Sequence, residues 1–305
     1  MKILDYITLK IDKIILVFAI FVLLISVYFI YFLNNSYLQK ETIQSLDNAL
    51  LLTRNILEEE QQHALSLSLL LCEDKSFLDA YFRDDRKGAF TILNEKIKSL
   101  KKLQGYTFDV QVHDQNLHTY LRSWNFMIKD VPLASFREGL VLVKKRLKPL
   151  VSIEVGKRLN IKAISPIIKN GKFAGSIEVI EGFDHLREKL AQQGYSLFIV
   201  LDKKFLSIAT TLNKHLLLSN QYVLVNCLYE KKSCFSLKNA DLTKLGSYGY
   251  FTQNGYAFGY FEIKNFHNEK LGYCIIALQK HGSYSEQSYH SHIVIENNIT
   301  GVVIR

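Results

Sequence analysis

Twenty consecutive residues without a formal charge, IILVFAIFVLLISVYFIYFL at 14–33, constrain this chain more than any other stretch. As a helix rising 1.5 Å per residue they reach roughly 30 Å, the hydrocarbon thickness of a bilayer. Lys2, Lys10 and Lys13 precede the run, against Asp5 and Asp12, and the next positive charge is Lys40. That asymmetry places residues 1–13 in the cytoplasm and everything after Leu33 outside the cell membrane. Tyr28, Tyr31 and Tyr37 suit an interfacial aromatic belt. The run is longer than an ordinary signal-peptide core, and no small-x-small cleavage pattern comes after it. The prediction is an uncleaved anchor.

Beyond the anchor the chain has material for real cores, because 48% of the 305 residues are hydrophobic. Three prolines and no Gly/Ser-rich or acidic runs argue against long disordered linkers. The net charge of +9 comes from scattered lysines, without zinc-finger spacing or an RNP-like motif, which argues against nucleic acid as a partner. No G-x-S-x-G elbow, Walker loop, H-E-x-x-H or Rossmann glycine series is present, so the stretch is not read as an enzyme and implies no cofactor. His281, His290 and His292 cluster late in the chain but lack a cysteine or carboxylate at ligand spacing, and are read as a polar exit segment rather than a metal site. Cys227 and Cys234 flank a short loop and could bridge outside the cell, which geometry decides.

From Lys40 to about Phe82 the sequence reads as one long helix without Pro or Gly. Ile43, Leu46, Leu50, Thr53 and Leu57 alternate spacings of three and four, and Ala64, Leu67, Leu71 and Leu78 resume the frame after EEEQQ at 58–62. A seam with a period of about 3.5 is what two helices need to pack side by side. The expectation is a parallel homodimer through this stalk; the alternative is a helix lying on its own domain, and the two can hold over different lengths.

After Gly105 the period changes to two. YTFDVQVHD and LHTYLRSWN alternate on either side of DQN, which reads as a hairpin. In the second run His118, Tyr120, Arg122 and Trp124 occupy every other position, so an unbroken strand would put all four on one face. Such a stripe either covers a hydrophobic surface or forms a recognition face for a small anion, with Arg122 as its fork. Residues 132–147 then read as a helix striped by Leu133, Phe136, Leu140, Val143 and Leu147, with three more strands after it. The order is that of a PAS-like sensor module, a five-stranded antiparallel sheet crossed by a helix. ISPIIKNGKFAGSIEVI at 164–180 is echoed by YFEIKNFHNEKLGYCIIAL at 260–278, each with a glycine (Gly175, Gly272) opening the second apolar strand. YSLFIVLDKKFLSIAT after Gly194 reads as another hairpin turning at DKK, so a second, smaller module is expected.

His118, RSW at 122–124, FR at 136–137, EVG at 154–156, SPI at 165–167 and GSIE at 175–178 together resemble the third double Cache subfamily of bacterial transmembrane receptors, those of the chemoreceptor, sensor histidine kinase or diguanylate cyclase type. The resemblance covers roughly residues 36 to 285 and implies an α+β chain. Its expected layout is a transmembrane helix at 14–33, a stalk helix and helical entry at 34–103, a membrane-distal Cache module at 104–184, a membrane-proximal one at 185–282, and an exit segment at 283–305. HIVIENNITGVVIR at 292–305 reads as the approach to a second span, so the chain is read as part of a larger receptor. The implied site is in the distal module, with His118, Tyr120, Arg122, Trp124, Arg137 and Glu154 around a small carboxylate-bearing metabolite or amino acid. Glu154 would receive an amine or act as the structural partner of an arginine. The alternative is a membrane-anchored extracytoplasmic binding or tether protein without a signalling output.

Overall fold

Residues 2–105, 107–226 and 231–279 are described by a computed structural model. Cys227, the histidines 281, 290 and 292, and the exit segment 283–305 lie outside the described residues. The apolar run falls within a helix, α1 (Lys2–Cys72), and every side chain from Ile15 to Leu33 is exposed. A helix apolar on all sides with no protein covering it fits a transmembrane anchor.

Two further helices come next, α2 (Lys75–Phe82) and α3 (Arg86–Gln104), so the single helix expected as far as Phe82 is broken at Glu73–Asp74. The break has a local cause: the Asp74 carboxylate accepts the Phe77 N–H at 2.8 Å, capping α2 as a new helix. Helix α3 stops at Gly105, whose φ of 78° places it in the left-handed region.

The first sheet contains β1 (Asp109–Asp114), β2 (Thr119–Arg122), β3 (Leu150–Val155), β4 (Leu159–Lys169) and β5 (Lys172–Glu181). All its pairs are antiparallel, in the order β2-β1-β5-β4-β3. Asn170 and Gly171 both take positive φ between β4 and β5, the two-residue turn whose twist matches an antiparallel pair. A helix, α4 (Glu138–Arg146), crosses one face. It starts six residues later than the stripe predicted. Thr119 N–H donates to Val131 O at 2.9 Å, Asp130 N–H to Thr119 O at 2.8 Å, and His118 bridges Pro132, so this segment pairs along the open edge of β2. Leu133, Leu140 and Val143 still reach the core with Leu150 and Ile164, while Phe136 is exposed.

A connecting helix, α5 (Asp184–Gln192), leads into the second sheet, which contains β6 (Ser196–Asp202), β7 (Leu217–Leu218), β8 (Tyr222–Leu224), β9 (Tyr248–Gln253), β10 (Tyr256–Lys264) and β11 (Lys270–Gln279), with a helix α6 (Lys231–Lys238) after β8. The strand order β7-β8-β6-β11-β10-β9 repeats the first sheet's order with one extra edge strand. The hairpin expected at DKK is absent. Asp202 instead accepts the Lys204 N–H at 3.0 Å and turns the chain into 3₁₀ turns, so that β6 pairs with the later β8. The repeated glycines have one physical reason. A Cβ at Gly175 would collide with the Tyr81 hydroxyl and His113 O, and one at Gly272 with Val200 O, because backbone passes directly over each.

The leucine seam is also reassigned. Leu50, Thr53, Leu57, Ala64, Leu67 and Leu71 are buried within one chain, so this stretch of seam packs on its own sheets rather than on a partner helix. Leu50 lies over Gly259 of β10, and Ser68 Oγ meets Ser165 Oγ of β4 at 2.7 Å. This part of α1 is a spine along both modules.

Candidate ligand-binding site

Alternation assigns two faces to the first sheet. Val110 and Val112 of β1, Ser165 of β4 and Ile177 and Val179 of β5 share the face that Ser68 of α1 meets. Gln111 and His113 of β1, Ser152 and Glu154 of β3, Lys162 of β4 and Ser176 and Glu178 of β5 share the opposite face, which α4 crosses. A strand buried on both faces usually reads as apolar throughout; here one face is buried and ionic.

The stripe at 118–124 does not stay in phase with that face. Val112 pairs Leu121 but His113 pairs Thr119, so Tyr120 is the extra residue of a bulge and the side chains on either side are re-aimed. Thr119 and Arg122 thereby join Gln111: Arg122 Nε donates to Gln111 Oε1 at 3.1 Å, and Gln111 Nε2 to Thr119 Oγ1 at 3.2 Å. Tyr120 turns to the helices, its ring 4.8 Å from that of Tyr81 in α2. His118 stays at the hairpin, 3.7 Å from Asp114, and is half-exposed. Trp124 is exposed beyond the strand end, with the Arg122 guanidinium 5.7 Å from its ring. Of the six residues expected together, the structure assembles Arg122, Arg137 and Glu154, leaves Trp124 at their margin, and separates His118 and Tyr120.

Arg137 immediately precedes α4 and is 5% exposed. Its guanidinium is paired to both oxygens of Glu178, which is fully buried, and lies 3.7 Å from Glu154. Glu154 also accepts Ser152 Oγ–H at 2.8 Å. Burial pushes the Glu178 carboxyl up, but Arg137, Lys162 and His113 overcome this and hold it at about 2. Burial also keeps His113 neutral, at about 3, despite Glu178 3.5 Å away. Lys162 is lowered to about 8, by burial first and the Arg137 charge second, with Glu178 and Glu154 opposing. Three cations thus share this face with two carboxylates, and both carboxylates are taken by Arg137. Among the described residues Arg122 and Lys162 make no ion pair.

Gln111, His113 and Lys162 were not singled out in the sequence. The polar alternation of DVQVHD held a signal for the first two, and an isolated lysine inside the apolar run NIKAISPI held one for the third. Two glycines make room for the buried charges: a Cβ at Gly139 would strike the Glu154 carboxylate, and one at Gly156 the Lys162 ammonium. The second sheet's corresponding core is instead filled by Tyr222, Phe251, Tyr256, Phe258, Tyr260 and Tyr273.

Tandem antiparallel sheets of one strand order, α1 along both, and an ionic face beneath a crossing helix define a double sensor module of PAS-like type. The family model described as a double sensory domain of two-component sensor kinase matches residues 39–279, and the chain belongs to that family, the third double Cache subfamily. The domain of a putative sensory box/GGDEF family protein from Vibrio parahaemolyticus is similar at 16% identity and a TM-score of 0.52, over 79% of this chain and 97% of that one. The extracellular domain of the putative histidine kinase vpHK1S-Z8 is similar at 16% identity and a TM-score of 0.51, over 79% and 96%. The ligand-binding domain of the Campylobacter jejuni chemoreceptor Tlp3, solved with L-valine, is similar at 13% and 0.45, over 80% and 95%. No curated protein matches the chain. At 16% identity the first two likenesses show the fold alone.

Proposed function

We propose that the chain is the extracytoplasmic ligand-binding region of a transmembrane signalling receptor, and that its distal module, 104–184, binds a small carboxylate-bearing anion on the face beneath α4. In this reading residues 1–13 are cytoplasmic, 14–33 cross the membrane, and the proximal module, 185–282, relays rather than binds. The sensor region itself performs no catalysis. One observation carries the reading: Arg122 and Lys162 are 8% and 3% exposed and make no ion pair among the described residues, beside an Arg137 whose fork is already engaged. Buried cations are normally paired, because an uncompensated charge is costly away from water. A ligand carboxylate supplies the missing charge through charge-assisted bonds. An amino acid would require Glu154 to share its carboxylate with an amine, and Glu154 is already held by Ser152 and Arg137, which favours a plain carboxylate.

The test is a calorimetric screen of small mono- and dicarboxylates and amino acids against the full chain in detergent micelles. A binder is expected whose affinity falls at least about tenfold in Arg122→Ala, the equivalent of one charge-assisted bond. Affinity should also decline as pH rises through about 8, where Lys162 loses its proton. Binding that is indifferent to both Arg122→Ala and Lys162→Met would move the site elsewhere.

A further inference from the structure

Away from the Arg122 face, where β5 ends and α5 begins, a cavity of about 170 Å³ is lined by Glu60, Glu181 and His185, with Asp184 and Glu188, both exposed and paired to Arg187, at its edge. Glu60 comes from α1, so the cavity joins that helix to the segment connecting the two sheets. Among the described residues no lysine or arginine lines it. Glu60 and Glu181 are only 4% and 3% exposed. Glu60 Oε1 lies 2.9 Å from His185 Nδ1, but its Oε2 is buried without a hydrogen-bond partner. Glu181 Oε1 lies 3.4 Å from His63 Nδ1 without the alignment of a hydrogen bond, and is likewise unsatisfied. Two buried acceptors on neighbouring carboxylates are a costly arrangement unless a donor reaches them.

Protons are one such donor. Burial first, then Glu181, pushes the Glu60 carboxyl up to about 8, with Lys189 opposing and Glu59 adding to the rise. Burial raises Glu181 as well, opposed by His63. A metal ion is disfavoured, because among the described residues no three His, Cys, Asp or Glu side chains are grouped so as to hold one. Acceptors spread around a cavity of this size suit a small ligand that carries several N–H donors.

We propose that this cavity is a second ligand site, which takes a small organic ammonium whose N–H groups donate to Glu60 and Glu181. The site is independent of the anion-binding reading and uses none of its residues. Occupancy ties α1 to β5 and α5, the elements through which the two modules meet. Because the cation and the proton compete for the same carboxylates, its affinity rises with pH through about 8.

Propylammonium chloride is the probe, titrated by calorimetry into the full chain in detergent micelles at pH of about 8.5 and about 6, at matched ionic strength. Binding is expected at the higher pH and at least about tenfold weaker at the lower one. Glu60→Gln, which mimics the protonated carboxyl and keeps its shape, should weaken binding at least about tenfold at the higher pH while leaving the melting temperature close to the parent's. Arg122→Ala should leave propylammonium binding unchanged. The proposal is overturned if propylammonium does not bind, or if Glu60→Gln and Glu181→Gln both bind it as the parent does. Equal binding of tetramethylammonium, which has no N–H, or binding of magnesium or calcium in its place would overturn it too.

Discussion

Arg122 and Arg137 carry the same charge on the same face of one sheet, yet their removal should have different consequences. Arg137 neutralises the fully buried Glu178, so Arg137→Ala strands a carboxylate and should cost about 3–5 kcal/mol in chemical denaturation. Among the described residues the Arg122 guanidinium hydrogen-bonds only Gln111 and otherwise lies near the exposed Trp124 ring, so Arg122→Ala should cost far less stability and act on ligand affinity instead. The two titrations have opposite signs. Glu178 is held at about 2 against an ordinary 4.5, so its contribution is complete above pH 4.5 and disappears as pH falls toward 2. Lys162 is lowered from 10.5 to about 8, so keeping it charged penalises the fold below pH 8, and the penalty is relieved as pH rises toward 10.5. Melting curves without ligand should therefore show Lys162→Met raising stability at neutral pH and abolishing the gain between pH 8 and 10.5. Glu178→Gln should lower stability at neutral pH and blunt the acid loss.

Elements were legible where one local signal decided them. The uncharged run at 14–33, the alternation after Gly105 and the repeated β-hairpins are each written in a single stretch, and the structure has helix and strands there. Failures came where a contact distant in sequence, or a single cap, outweighed periodicity. The bulge at Tyr120 depends on the register of β1, and it moved two of the six expected site residues off the face. Pairing along the β2 edge kept residues 131–133 out of a helix despite the helical stripe, and Asp74 and Asp202 ended elements through one side-chain bond each. The α1 seam shows the same limit, since a leucine stripe does not say whether a partner chain or the chain's own sheet will cover it. Leu57 is 2% exposed and Leu51 60%, although both lie on the same helix. Leu57→Ala should thus cost about 2–5 kcal/mol by creating a cavity. Leu51→Ala should stay within about 0.5 kcal/mol. Paired denaturation curves check both, and equal effects would mean that the covered seam does not hold the helix in place.

Residues 48–72 of α1 give the two modules a common support. Leu50 lies over Gly259 and Arg54 stacks 4.8 Å from the Phe261 ring in the second sheet, while Ser68 and Cys72 bond to β4 in the first. Unfolding either sheet therefore uncovers apolar surface that α1 shares with the other, and the expectation is one cooperative transition. The chain has a single tryptophan, Trp124, placed in the first module, so its fluorescence reports on that module alone. Far-UV circular dichroism reports on both. Denaturant curves from the two probes should coincide. Leu50→Ala offers the sharper measurement, because the side chain packs on β10 in the second module. If α1 couples the modules, this substitution lowers the Trp124 fluorescence midpoint as much as the dichroism midpoint. A fluorescence midpoint that stays in place while the dichroism curve splits into two steps would show instead that the modules unfold separately, and that α1 supports each without linking them.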